Sequence, residues 1–172
     1  MKKLYKAAWV STLLSLILLS MGCSPSTNTQ QIINSPSKII IFNKGLSKEL
    51  TSKDEIFSKI VDLTNKRIDP KKLTTAKDIV DDTYIASLKK ENLSMEFIYN
   101  TEQEMNIKGD NFIPFKYYKL FFTLESEQQG VESGSVIYTF QHSDKEHYTE
   151  FSRGKLKLSK ELINLTRSIS EK

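Results

Sequence analysis

The residues best suited to chemistry in this 172-residue chain are few. His142 and His147 are its only histidines, five positions apart. An odd spacing along one continuous strand sends two side chains to opposite faces, so joint metal ligation would need a turn at Ser143-Asp144-Lys145 to bring them across a hairpin. They read as ordinary hairpin or surface histidines. Asp78, Asp81 and Asp82 form one acidic cluster, and Glu125, Glu127 and Glu132 form another beside Gly130 and Gly134. Neither follows the alternating ligand spacing of an EF-hand, and both read as solvated acidic loops. Carboxylate pairs for glycan cleavage can be named at will, Glu96 with Glu102 for example, but spacing alone selects none. The chain contains no Gly-Lys-Ser/Thr phosphate loop, no Gly-x-Ser-x-Gly elbow and no His-Glu-x-x-His zinc motif. The expectation is a non-enzymatic protein without a cofactor and with no catalytic residue to nominate.

One further group has reactive chemistry. Cys23 is the sole cysteine, which excludes an internal disulfide framework and any multi-cysteine zinc site. It ends a characteristic stretch. Lys2, Lys3 and Lys6 form a basic start, and Ala7 to Leu19 follow without a charge, broken only by Ser11, Thr12 and Ser15. Those 13 residues suit the apolar core of a secretory signal and fall short of the roughly 20 that a membrane-spanning helix needs. The lysines hold the start on the cytoplasmic side, so the remainder is exported.

With Leu19-Ser20-Met21-Gly22-Cys23 at its end, this segment resembles a bacterial lipoprotein precursor. Ser20 stands where such precursors usually carry leucine, and Leu19 lies one place further from the cysteine. The resemblance implies cleavage between Gly22 and Cys23, a diacylglyceryl group on the Cys23 sulfur, and acylation of its freed amine as an option. Two or more acyl chains hold a protein stably to a bilayer, whereas one is marginal. The resemblance therefore implies a signal peptide over 1–22 and a lipid-anchored protein on the extracytoplasmic face of the cell membrane.

Removing that segment changes the charge reading. The whole chain carries 25 basic and 21 acidic residues, net +4; without the three lysines of the signal, 22 basic residues face 21 acidic ones, net +1. A nucleic-acid partner is not expected, because phosphate recognition needs a concentrated positive face. Residues 23–37 are uncharged, polar and punctuated by Pro25 and Pro36, the composition of a flexible tether, with Ile32 and Ile33 as exceptions. A single globular domain is expected over 38–172.

The elements that must position any site follow from periodicity. Lys38 to Phe42 is a β-branched run ending in the turn residues Asn43-Lys44-Gly45. Ile56, Phe57, Ile60, Val61 and Ile68 predict a helix over 52–68, with Ser52 and Glu55 as a capping box and Pro70 as its stop. Residues 70–82 look irregular, and 83–90 fit helix or strand. Period-two alternation predicts strands from Leu93 to Tyr99, over Tyr117 to Leu124, around Val136 to Phe140 and around 146–152, with Glu104 to Lys108 pairing before a Gly109-Asp110-Asn111 turn. Ser159 caps a final helix bearing Leu162, Ile163, Thr166 and Ile169. The expected fold is α+β: a mainly antiparallel sheet with one helix near the start and one at the C-terminus, both on one face.

The aromatic strand allows two readings. Phe115, Tyr117 and Phe121, with their neighbours, either belong to a central strand covered on both sides or leave one face open as a platform for a partner. The functional expectation is a binding or accessory module tethered to the membrane through the lipid on Cys23, serving an envelope protein or a small ligand. A small-ligand-binding lipoprotein is the alternative, and an envelope-polymer hydrolase a more distant one.

Overall fold

The computed structural model describes residues 31–77, 80–105, 107, 112–125 and 138–171. Met1 to Gly22, Cys23, Asp78, Glu127, Glu132 and the Gly109-Asp110-Asn111 turn lie outside the described residues. Seven strands form one antiparallel sheet: β1 Lys38–Asn43, β2 Leu46–Thr51, β3 Thr74–Lys77, β4 Ser94–Met105, β5 Phe115–Thr123, β6 Tyr138–Ser143 and β7 Tyr148–Leu156. Their spatial order is β2-β1-β4-β5-β6-β7-β3. Strands β4 to β7 are neighbours in both sequence and space, and every pairing is antiparallel. The helices are α1 Phe57–Arg67, α2 Asp82–Glu91 and α3 Lys160–Ser170. The α+β class with a mainly antiparallel sheet is thus as expected.

The first face of the sheet carries the main core. Ile39 and Ile41 of β1, Met95 and Phe97 of β4, Leu120 and Phe122 of β5 and Phe140 of β6 stand in register across it and are fully buried. Phe57, Ile60 and Val61 of α1 and Leu162 of α3 belong to the same apolar cluster. Burying one such side chain contributes about 1.5–3 kcal/mol, so this layer dominates the stability of the fold.

Alternation sends the intervening residues to the other face, where Phe121 joins Val80 and Ile85, with Phe42, Leu88 and Tyr148 packed against them. Helix α2 covers this patch, so helices lie on both faces rather than one. Asp81 caps α2 by accepting the Tyr84 N–H at 2.7 Å, and Lys89 and Lys90 occupy its last turn, where the helix dipole favours cations. These end signals resolve 83–90 as helix.

Several other boundaries differ from those the sequence suggested. Helix α1 starts at Phe57, not Ser52, and no side chain caps it. The Thr51 N–H instead bonds Asp54 Oδ2 at 2.7 Å, which closes a turn where the capping box would have stood. Residues 46–51 form β2 because Lys44 and Gly45 both take positive φ, 50° and 83°, and fold the chain back in a two-residue hairpin. Ser47, Lys48 and Glu49 are exposed on this edge strand, whose charges discourage further pairing. Glu104 and Met105 continue β4 past an irregularity between Ile98 and Gln103 instead of forming a separate strand. At the C-terminus, Ser159 Oγ accepts the Leu162 N–H at 3.2 Å and caps α3 as expected.

The compact unit begins at Gln31, so the last part of the expected tether is packed. Ile33 is fully buried, and Asn65 of α1 binds this segment three times: its Oδ1 accepts the N–H groups of Ile32 and Ile33 at 2.9 and 2.8 Å, and its Nδ2 donates to Ile33 O at 3.0 Å. A buried isoleucine with its backbone satisfied gains more than the ordering of a few residues costs.

Candidate functional site

The aromatic strand is covered. Phe121 and Tyr117 are 0% and 1% exposed and Phe115 is 9% exposed, so these residues form no open platform. Tyr117 makes an edge contact with Tyr99 at 5.2 Å, and burial pushes its hydroxyl up to about 12. The physical reason is the position of β5 in the middle of the sheet, with helices packed on each side.

What the surface offers instead is a polar cleft of about 390 Å³, open to solvent, lined by Glu102, Tyr118, Asp144, Lys145, Glu146 and His147. Two strands and one turn build it. Glu102 lies on β4 beyond the irregularity, Tyr118 on β5, and the other four in the β6–β7 turn. Asp144 shapes the turn, because its Oδ1 accepts the N–H groups of Glu146 and His147 at 2.8 and 2.7 Å. Those two bonds hold its carboxyl below the usual carboxylate range. Glu102 is paired with Lys116 at 2.9 Å.

His147 connects the cleft to helix α2. Its Nδ1 lies 2.7 Å from Asp82 Oδ2, and Asp82 Oδ1 also accepts the Tyr148 N–H at 3.0 Å. The Tyr148 amide first, and His147 second, lower the Asp82 pKa. The bond to Asp82 raises that of His147. With Nδ1 committed to the carboxylate, Nε2 is the nitrogen left for a ligand. The cleft lining holds an imidazole–carboxylate pair and a phenol, and none of its residues is a serine, threonine or cysteine. Its three carboxylates, phenol, ammonium and imidazole can engage amine and hydroxyl groups by hydrogen bonding.

Below the cleft's helix, a buried polar knot fixes α2 to the sheet. Glu96 Oε1 accepts both Lys89 Nζ at 2.8 Å and the Tyr148 hydroxyl at 2.5 Å. The Lys89 ammonium also lies 4.9 Å from the centre of the Phe42 ring and 5.8 Å from those of Phe121 and Tyr148. Burial and the neighbouring Glu96 raise the Tyr148 pKa strongly. Glu96 and Glu102, on the same strand, serve different neighbours: Lys89 and Tyr148 for the first, Lys116 for the second.

The two histidines part company. His142 is 5% exposed on the first face, stacked on Phe115 with ring centres 4.0 Å apart, and burial lowers its pKa to about 4. His147 is exposed at the turn. Asp81 has become a helix cap, and Glu125 pairs with Arg167 of α3. No group of three or more metal-ligating side chains converges among the described residues. Sequence reasoning noted Asp82 and His147 separately but missed their pairing across 65 positions; it read Tyr148 only as part of a strand and gave Lys89 and Arg153 no role. A lysine in the last turn of an amphipathic helix was the only signal available for Lys89.

Comparison with known protein families, with curated proteins and with solved structures finds no match to this chain.

Proposed function

We propose that the protein is a membrane-anchored extracytoplasmic lipoprotein, acting as a non-enzymatic binding or accessory module of the cell envelope. The N-terminal pattern of Lys2, Lys3 and Lys6, the apolar run Ala7 to Leu19 and the sole cysteine at position 23 supports the anchoring. Anchoring raises the effective concentration of the domain near membrane-bound partners.

The observation that carries the binding role is the open cleft between β4, β5 and the β6–β7 turn. Its size falls within the range of ligand sites, about 300–1,000 Å³, and its polar lining suits a hydrogen-bonding partner bearing amine or hydroxyl groups. With Phe115, Tyr117 and Phe121 buried, the partner surface is assigned to Glu102, Tyr118, Glu146 and His147 instead.

Cross-linking in intact cells tests both halves. Wild-type chain should lose Met1 to Gly22 and gain acyl mass at Cys23, and should capture one envelope component reproducibly. Cys23→Ser should abolish the acyl mass and the capture. The double substitution Glu102→Gln, Glu146→Gln should keep the acyl mass and lose the capture. Retention of Met1 to Gly22 by intact mass would refute the anchor, and undiminished capture by the double variant would refute the cleft.

A further inference from the structure

Arg153 occupies an unusual position for a cation. It lies on β7 between Phe140 of β6 and Thr75 of β3 and is 2% exposed, among the largest fully buried side chains. Its guanidinium carbon stands 4.5 Å from the centre of the Phe115 ring, 5.5 Å from Phe151 and 6.0 Å from Phe112. Aromatic faces offset part of the cost of burying a cation, but they accept no N–H in place of the lost water.

The hydrogen bonding is incomplete. Nη1 donates to the carbonyl of its own neighbour Ser152 at a long 3.3 Å, and Nε is buried with no hydrogen-bond partner among the described residues. No carboxylate pairs with Arg153 among the described residues. A methionine or leucine would fill this space without the desolvation cost, so folding alone gives no reason for a guanidinium here. His142 rests on the same Phe115 ring and adds a second nitrogen-bearing group.

We propose that Arg153, with His142 beside it, is the recognition element of an oxyanion site that takes the carboxylate or phosphate group of a ligand. A planar guanidinium with unused N–H groups matches either anion in a two-point contact, and the surrounding rings strengthen that contact by excluding water. Phe151, two residues before Arg153 on β7, is only partly buried, unlike Arg153 itself. On the other flank, the hydroxyl of Thr75, the ladder partner of Arg153, accepts the Ile113 N–H at 3.2 Å and sets Phe112 against the site. The site is distinct from the cleft and does not depend on membrane anchoring.

The chain has three arginines, Arg67, Arg153 and Arg167, so three Nε–H signals report directly on the proposal. The full chain in detergent micelles, labelled with ¹⁵N, is titrated with inorganic phosphate, with acetate and with chloride at matched ionic strength. Arg153→Lys assigns the signal. A saturable shift of the Arg153 Nε–H with phosphate or acetate, absent with chloride, is the expected result; phosphate alone identifies a phosphate-bearing ligand and acetate alone a carboxylate. No saturable shift with either anion, or an equal shift with chloride, overturns the site. Arg153→Met should weaken the response of the melting temperature to the active anion about tenfold or more, the loss of one charged hydrogen bond or greater. An unchanged response in that variant also overturns it, and the wild-type titration decides if the variant does not fold.

Discussion

Asp82 and His147 join two elements 65 residues apart in sequence: one carboxylate in the first turn of α2 holds both the imidazole and the following amide of the β6–β7 turn. This single side chain couples the helix on the second face to the wall of the cleft. The Tyr148 amide and then the His147 bond lower Asp82, and the same bond to Asp82 raises His147, so the charged pair is favoured on both sides.

The pH dependence of that latch follows from those directions. The His147 contribution is fully present below the unfolded value of about 6.5 and is lost as pH rises through the higher folded value. The Asp82 contribution is present above about 3.9 and is lost as pH falls through the lower folded value. The latch is therefore strongest from about pH 4 to 6.5. Proton NMR titration should place the His147 midpoint above that of an unstructured histidine, and Asp82→Asn should bring it down. A midpoint unmoved by Asp82→Asn would show that the bond is not formed in solution.

His142 has the opposite sign. Burial, and then the nearby Arg153 charge, lower its folded pKa to about 4, while the unfolded chain protonates near 6.5. Stability is thus lost as pH falls from about 6.5 towards 4, by roughly 2–4 kcal/mol in total. Urea unfolding at a series of pH values should show this slope, and His142→Phe should flatten it. If the slope survives in His142→Phe, another group is responsible.

Lys89 and Glu96 form a partly desolvated pair whose members depend on each other. Lys89→Met leaves the Glu96 carboxylate buried with only the Tyr148 hydroxyl, and should cost about 2–3 kcal/mol. Adding Glu96→Gln should recover part of that loss. Chemical denaturation of the two single variants and the double variant measures the coupling; strict additivity would mean that the pair contributes nothing as a pair.

Asn65→Ala removes the side chain that satisfies Ile32, Ile33 and the Val61 carbonyl. Unpaired buried amides cost about 1–3 kcal/mol. The expected outcome is destabilisation of that order, with faster amide exchange in 31–37 than in α1. Uniform acceleration across the domain would argue that Asn65 supports the whole core and not this segment in particular.

Particular residues show where the sequence was legible. The stripe of Phe57, Ile60 and Val61, the Ser159 cap and the alternation Met95, Phe97, Tyr99 identify α1, α3 and β4, because helix and strand periodicities are local properties of neighbouring side chains. The α+β class follows from their order. Strands β2 and β3 were hidden because their residues, Ser47-Lys48-Glu49 and Thr74-Thr75, are polar; only a hairpin turn and an edge position make them strands. The start of α1 was misplaced because Thr51 and Asp54 bond each other instead of a helix end.

Chain-local chemistry is all that a sequence determines alone: the basic start, the apolar run and Cys23, the near-neutral remainder and the absence of catalytic motifs. Tertiary structure decided everything that requires two distant residues to meet. It buried Phe115, Tyr117 and Phe121 by setting β5 at the centre of the sheet, and brought Asp82 to His147 and Lys89 to Glu96 across the second face. It also left Arg153 among aromatic rings without a counter-charge among the described residues. Burial and pairing depend on which strands become neighbours, and that order, β2-β1-β4-β5-β6-β7-β3, is set by the collective packing of the sheet and no single local pattern encodes it.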